Sequence, residues 1–293
     1  MSIKINDSTI RVGDDNLHIY TWQNRQNVAQ RIVVLIHGLL MHGRSFAGFA
    51  PPLAQQESIV IAPDLRGFGQ SYFGSDGEKN RTNFSKSLDD ISQLLIILKN
   101  QHPHLPIFLV GESLGSHFAL SAAAKQPDLV NGLILSSPCV RPRMLSIPLV
   151  PHICTQLMLS GLRQFNLSLH AKDFLKNEPE SLQHYLDDPM SRKSLEVLEL
   201  IDSLRFFGSN TPKEISPDLP VLVLRGKNDC VCNVDSTMKF LESIKSRNLT
   251  FHSCGGCGHL ILQAAKIDMA ILDTIVRWLK EQSNHSDGTV AGI

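Results

Sequence analysis

A chain of 293 residues, 42% of them hydrophobic, is long enough to bury a core of its own, so neither a metal nor a disulfide is needed to fold it. Its 28 basic and 28 acidic residues cancel, which excludes capture of a nucleic-acid backbone or an anionic membrane by overall charge. Met1 to Asp7 hold no apolar signal region, and no run reaches the ~18 apolar residues that span a bilayer, so the sequence reads as a cytoplasmic protein.

The alternating stretches Lys4 to Val12 and Leu17 to Trp22, separated by Gly13-Asp14-Asp15, predict an antiparallel hairpin at a sheet edge. Arg31 to Ile36 is a continuous apolar run of the kind buried on both faces of a sheet. It ends in His37-Gly38-Leu39-Leu40-Met41-His42-Gly43. A helix is predicted over Ser45 to Gln56 and a strand over Ile59 to Ala62. The turn-rich loop Asp64 to Ser71 follows, with Asp64 read as a turn cap and Arg66 as the partner of a carboxylate. A helix over Asn83 to Asn100 carries Leu88, Ile91, Leu94, Leu95 and Leu98 at helical spacing. It leads into a buried strand over Ile107 to Val110.

Gly111-Glu112-Ser113-Leu114-Gly115 stands where that strand turns into a helix. A serine presented at such a turn has a strained backbone, and the residues two before and two after it must be almost without side chains for strand and helix to approach. Gly111 and Gly115 stand at those places. The amide of Leu114 then lies at a helix N-terminus, where free N–H groups and the helix dipole favour an oxyanion. Gly38 allows the chain to turn across the strand tips, so that the amide of Leu39 points into the same space. Phe118, Ala119, Ala122 and Ala123 form a helix face suited to packing under the sheet, and Gly132 to Leu135 is the next strand.

From residue 138 to 215 the alternation of strand and helix stops. Scattered prolines and the amphipathic segments His152 to Phe165, Leu167 to Lys176 and Leu195 to Phe206 predict a helical cap without a buried strand, inserted after the sixth strand and lying over the site. Arg141 to Pro151 is apolar enough to serve as an entrance that meets lipid in transient contact with a membrane surface, or to pack within the cap. Alternation resumes with strands over Pro220 to Leu224 and Leu249 to Ser253 and a helix over Ile261 to Lys280. Residues 284–293 are expected to be disordered. The domains are thus a core of residues 1–137 and 216–283 and a cap of residues 138–215.

Ser113, Asp229 and His259 each fall just beyond a predicted strand. A serine hydroxyl is a poor nucleophile at neutral pH. An imidazole accepts its proton and later returns it to the leaving group, and a carboxylate fixes the imidazole tautomer. His252 falls inside a strand and Asp235 begins a helix, which ranks both behind His259 and Asp229. His37 and His42 are read as loop-organising or pocket-lining residues rather than as the base. Cys254-Gly-Gly-Cys257 with His259 nearby lacks a second ligand pair, so the six cysteines are read as thiols and no metal or cofactor is expected.

Over almost its whole length the chain resembles the α/β-hydrolase superfamily. Within it the chain is similar to the monoacylglycerol lipase, lysophospholipase and serine aminopeptidase-like group. The residues that carry the likeness are His37-Gly38 with His42, Asp64-Leu-Arg-Gly-Phe-Gly-Gln-Ser71, Leu105 to Gly115, Asp229 after Arg225-Gly226, and His259 after Gly258. The resemblance implies a mostly parallel central sheet flanked by helices, Ser113 as nucleophile, Asp229 and His259 as its relay, and the amides of Leu39 and Leu114 as oxyanion donors. Glu112 stands where monoacylglycerol lipases usually carry histidine, and Ser116 replaces a second glycine.

The expectation is a cofactor-free serine hydrolase of carboxylic esters whose partner is a small ester or lipid, monoacylglycerol or lysophospholipid-like. An aminopeptidase is the first alternative, for which Glu178, Glu180, Asp187 and Asp188 are candidates to hold a substrate ammonium. A hydrolase of short esters or lactones is another, and a non-catalytic ligand-binding protein of the same fold a third.

Overall fold

The computed structural model describes residues 3–73, 80–139, 164–209 and 215–287. The hairpin forms as the alternation predicts: β1 (Lys4–Val12) pairs antiparallel with β2 (Asp15–Gln23) at the edge of an eight-stranded sheet. Beyond it lie β3 (Arg31–Ile36), β4 (Ser58–Pro63), β5 (Ile107–Glu112) and β6 (Gly132–Ser136), every residue of which is buried. After β7 (Gln164–Asn166) and β8 (Ser194–Glu196), which lie outside this sheet, come β9 (Val221–Gly226) and β10 (Leu249–Cys254). The order across the sheet is β1-β2-β4-β3-β5-β6-β9-β10, parallel from β4 onward.

Successive residues of the buried strands face opposite sides, so the sheet carries two cores. Ile32, Val34, Ile36 and Leu109 pack with Ile91, Leu94, Phe118 and Ala122 from α2 (Phe84–Gln101) and α3 (Leu114–Lys125). Val33, Leu35, Phe108 and Val110 pack with Leu53 from α1 (Ala50–Ala54) and with Ile275, Trp278 and Leu279 from α8 (Met269–Asp287). On the first face lie also Phe240 and Leu241 of α7 (Val234–Ser243), whose first turn contains Asp235. Asn83 caps α2, its side chain accepting the amide of Lys86 at 3.0 Å.

Strand order reverses between β3 and β5: β4 lies to one side of β3 and β5 to the other. The crevice outside the carboxyl ends at such a point is where ligands bind in open α/β sheets. Register pairs Ile36 with Gly111, so two residues further along each strand Gly38 comes beside Ser113.

Four expectations need correction. The helix over Ser45 to Gln56 is broken into a 3₁₀ turn, Gly43–Phe46, and the short α1, because Pro51 and Pro52 lack an N–H and are tolerated only in a first turn. The stretch between β6 and β9 holds α4 (Ser168–Phe174), α5 (Pro179–Asp187) and α6 (Val197–Ser209), but also two strands: β7 and β8 pair antiparallel, burying Phe165 and Leu195. The last helix begins at Met269 rather than Ile261, since the amides of residues 259–263 turn to side-chain acceptors instead of a helical ladder. It continues to Asp287, so residues 284–287 are helical, and residues 288–293 lie outside the described residues. The apolar entrance over Arg141 to Pro151, and Cys154, also lie outside them. No helix among the described residues is long and apolar enough to cross a membrane.

Candidate active site

Ser113 follows β5 with φ 55° and ψ −115°, a left-handed backbone that costs a residue with a side chain on the order of 1–3 kcal/mol. The surrounding glycines make this turn possible. A Cβ on Gly111 would lie 2.1 Å from the carbonyl oxygen of Gly115, and one on Gly115 would lie 2.0 Å from that of Ile36. Ser116, in place of another glycine, donates its hydroxyl to the Gly111 carbonyl at 2.8 Å and so ties the helix back to the strand.

The hydroxyl of Ser113 lies 2.9 Å from His259 Nε2, and His259 Nδ1 lies 3.1 Å from Asp229 Oδ2. All three residues are buried. Asp229 is oriented by its second oxygen, which accepts the amides of Val231 at 2.8 Å and Cys232 at 3.2 Å. Its carboxyl is held down at about 2: burial opposes this, but the charge and hydrogen bond of His259 outweigh it. His259 is raised to about 9, because the Asp229 carboxylate overcomes the opposing effect of burial, with lesser help from Cys139 and Glu112. Leu114 is the first residue of α3, a position whose N–H has no partner within the helix. Leu39 follows Gly38 in the loop beside Ser113, and the Gly38 amide donates to Gln263 Oε1 at 2.9 Å.

These residues close one end of a cavity lined by Leu39, Leu40, Met41, Val231 and Leu260 from the core loops. The opposite wall is Leu167, Ala171, Phe174, Leu175 and Tyr185. No carboxylate, lysine or arginine lines it among the described residues. Of the motif residues, only Gly38 reaches this cavity; His37, His42, Gly111, Glu112 and Gly115 lie behind it.

His37 is buried and accepts the Leu65 amide on Nε2 at 3.0 Å, so its Nδ1–H donates to the Gly38 carbonyl at 2.8 Å. Burial lowers it to about 3, leaving a neutral ring that fixes the loop. His42 Nε2 lies 2.6 Å from Asp188 Oδ2 and thereby joins the loop after β3 to the segment between β6 and β9. Glu112 is fully buried, and burial raises its pKa. Its oxygens accept the amides of Ile261, Leu262 and Gln263, each at 2.8 Å, and the Ser136 hydroxyl at 2.9 Å. Asp64 accepts the amides of Gly43 and Gln70, and Arg66 pairs with Asp90 at 2.6 Å and Asp15 at 2.8 Å, the scaffold duties read from the loop.

None of the four acidic residues offered as an ammonium site faces the cavity. Asp188 bonds His42, Asp187 bonds the Gln183 amide, Glu180 is exposed, and Glu178 accepts the backbone of His259 and Leu260. Burial pushes Glu178 up to about 7, against the pull of the His259 backbone bond and charge, with Glu112 adding to the rise. His252 lies within β10, away from Ser113 in the fold as in the sequence. Cys254 and Cys257 are thiols. Among the described residues the one cluster with donor atoms close enough to share a cation is Asp229, Cys232 and His259. There the Asp229 and His259 atoms face each other across 3.1 Å, at hydrogen-bond distance. Sequence reasoning missed Gln263 and read Glu178 only as a candidate for a substrate ammonium, because side-chain contacts over 80 or more residues leave no local pattern.

The model of the family described as "Serine aminopeptidase, S33" matches residues 27–265. The chain belongs to this family. As an α/β-hydrolase it is 24% identical over 257 residues to a monoglyceride lipase of Mus musculus, covering 86% of this chain and 82% of that one. It is also 24% identical over 252 residues to a monoacylglycerol lipase of Mycolicibacterium smegmatis, covering 85% and 87%. Its fold is similar to that of a soluble variant of monoglyceride lipase from Saccharomyces cerevisiae solved with a substrate analogue. The TM-score is 0.80 at 18% identity, with 96% of each chain covered.

Proposed function

We propose that this α/β-hydrolase cleaves carboxylic esters that carry an apolar acyl chain, of the monoacylglycerol or lysophospholipid kind, through an acyl-enzyme on Ser113. In this reading neutral His259 accepts the Ser113 proton as Oγ attacks the ester carbon. Asp229 stabilises the imidazolium that forms, and the amides of Leu39 and Leu114 receive the developing oxyanion. His259 then gives its proton to the departing alcohol. Water, activated by the same imidazole, releases the acid and returns Ser113.

The observation that carries the substrate class is the cavity: apolar side chains lead to Ser113, and no carboxylate stands among the described lining residues to pair with an amino-terminal ammonium. This favours a lipid-like ester over an aminopeptidase substrate, as do the names of the relatives. The segment 164–209 acts here as the cap, since Leu167, Ala171, Phe174 and Leu175 supply the wall against which the acyl chain packs.

The test is hydrolysis of p-nitrophenyl esters from two to sixteen carbons, beside monoacylglycerol, lysophospholipid and aminoacyl-amide substrates, with Ser113→Ala as control. The expected result is a preference for long chains and a monoacyl lipid, lost by a factor of about 10⁴ or more in Ser113→Ala. Preference for the amide moves the enzyme to the peptidase reading. Turnover that survives the substitution removes Ser113 from the chemistry.

A further inference from the structure

Five consecutive backbone amides, from His259 to Gln263, end on just two carboxylates. Ile261, Leu262 and Gln263 donate to Glu112, which β5 places one residue before Ser113. His259 donates to Glu178 Oε1 at 2.5 Å and Leu260 to Glu178 Oε2 at 3.2 Å. Glu178 belongs to the segment that supplies the opposite wall of the cavity: it is the N-cap residue of α5.

The approach of Glu178 needs a residue without a side chain before the histidine if the carboxylate is to stay in place. A Cβ on Gly258 would lie 2.0 Å from Glu178 Oε1, so a side chain there would push the carboxylate off the loop. The neighbouring Asn177 donates its side-chain amide to the Asn228 carbonyl at 3.1 Å, in the loop that carries Asp229. The two loops are themselves joined by the Asn228 amide, which donates to the Cys257 carbonyl at 3.0 Å. Three residues before Glu178, Leu175 lines the cavity, with Phe174 beside it. Within five residues the chain thus runs from the apolar wall to both loops of the relay.

We propose that Glu178 is a positioning residue that carries the placement of the wall at Phe174 and Leu175 to the backbone of His259, so that filling the cavity and aligning the base are one event. The inference rests on the reading of Ser113, His259 and Asp229 as the relay. It makes the identity of the acyl chain felt in kcat as well as in KM, because misplacing a base by as little as about 1 Å costs up to about a hundredfold in rate.

The experiment compares the full-length wild-type enzyme with Glu178→Ala and Glu178→Gln. Amide hydrogen exchange is followed residue by residue by NMR, and steady-state kinetics are measured on p-nitrophenyl laurate and acetate. In Glu178→Ala the His259 and Leu260 amides should exchange faster while those of Ile261, Leu262 and Gln263, held by Glu112, keep their rates. The kcat on laurate should fall about tenfold or more with KM within about twofold, and on acetate, which leaves the wall empty, by clearly less. Glu178→Gln retains one acceptor oxygen and should fall between, which keeps the test alive if the alanine variant does not fold. Unchanged exchange at residues 259 and 260, or an equal loss of kcat on both esters, overturns the proposal while leaving the hydrolase reading intact. A wild-type enzyme with no Ser113-dependent turnover overturns both.

Discussion

Ser113, His259 and Asp229 each stand just beyond a strand of the large, mostly parallel sheet. Asp229 is oriented by two amides of its own loop, the His259 loop by Glu112 and Glu178, and Ser113 by a turn in which a Cβ on Gly111 or Gly115 would meet backbone. Leu167, Ala171, Phe174 and Leu175, across the cavity, stand on or beside a seven-residue helix in a segment whose own sheet has two strands of three residues. Polar ties from that segment to the core include His42 to Asp188, Arg192 to the Gly67 carbonyl at 3.0 Å, Glu199 to the Thr82 amide at 2.8 Å, and Glu178 to the amides of His259 and Leu260. On the proposed reading, the groups for bond cleavage stand at the ends of the sheet's strands, whereas the surface that would select the acyl chain belongs to the segment between β6 and β9, whose Phe165, Leu167, Leu195 and Leu200 pack into the core on one face of the sheet. Met41 and Leu260 meet Ala171, Leu175 and Tyr185 where the two join.

Substitutions on the sheet side should therefore damage chemistry on every substrate alike. After Ser113→Ala, the largest effect is expected from Asp229→Asn, which keeps the shape of the carboxylate but removes the charge beside His259. By analogy with other serine relays kcat should fall by about 10⁴. The pH profile adds a second readout. Attack by Ser113 requires neutral His259, and His259 titrates upward of its ordinary value, at about 9. In the unmodified enzyme kcat/KM should rise with pH through that region and fall away as the ring is protonated at lower pH. Without the Asp229 charge the opposing effect of burial dominates, so the midpoint should move to lower pH while the plateau drops. A midpoint that stays in place would separate Asp229 from the relay.

Glu112→Gln comes next. The buried amide side chain would keep one acceptor but turn an NH₂ group toward the amide of Gln263, stranding a buried donor at a cost of about 1–3 kcal/mol. Thermal unfolding should begin several degrees lower, about 2–4 °C for each kcal/mol. Short and long esters should lose activity together, because the loop that slackens carries His259 itself. Equal stability in the two proteins would show that Glu112 is not what holds this loop.

The same division decides what the sequence makes legible. Ser113, Asp229 and His259 are readable because each falls just beyond a predicted strand, and because the turn at Ser113 leaves a local mark in Gly111 and Gly115. The mostly parallel sheet flanked by helices follows from the alternation of strands and helices, whereas the order of its strands does not. Less readable is anything held by contacts distant in sequence. The amides of Ile261 to Gln263 look like the start of a helix until Glu112 is placed against them. Glu178 looks like one member of an acidic run until its carboxylate is seen beside Gly258. Pro51 and Pro52 do carry the signal that breaks the helix over Ser45 to Gln56, and the error there lies in weighing apolar spacing above two missing N–H groups. The wall residues are illegible for another reason: Leu167, Ala171 and Leu175 have the pattern of any amphipathic helix, and nothing in that pattern says whether the apolar face meets core or substrate.

Ala171→Phe tests that last ambiguity and should have the smallest effect on chemistry. Ala171 is buried between Leu167 and Leu175 and faces the cavity from α4, out of contact with the relay. A phenyl ring at this position takes space from the far part of an acyl chain but not from the ester itself. Each methylene excluded from an apolar pocket is worth about 1–3 kcal/mol in transition-state binding, so the ratio of kcat/KM on laurate to that on acetate should fall at least about tenfold. The optimum of a p-nitrophenyl ester series should move to shorter chains, with the pH profile set by His259 in place. An unchanged optimum would mean that the acyl chain takes another path out of the site, and that Ala171 and its neighbours pack only against Met41 and Leu260.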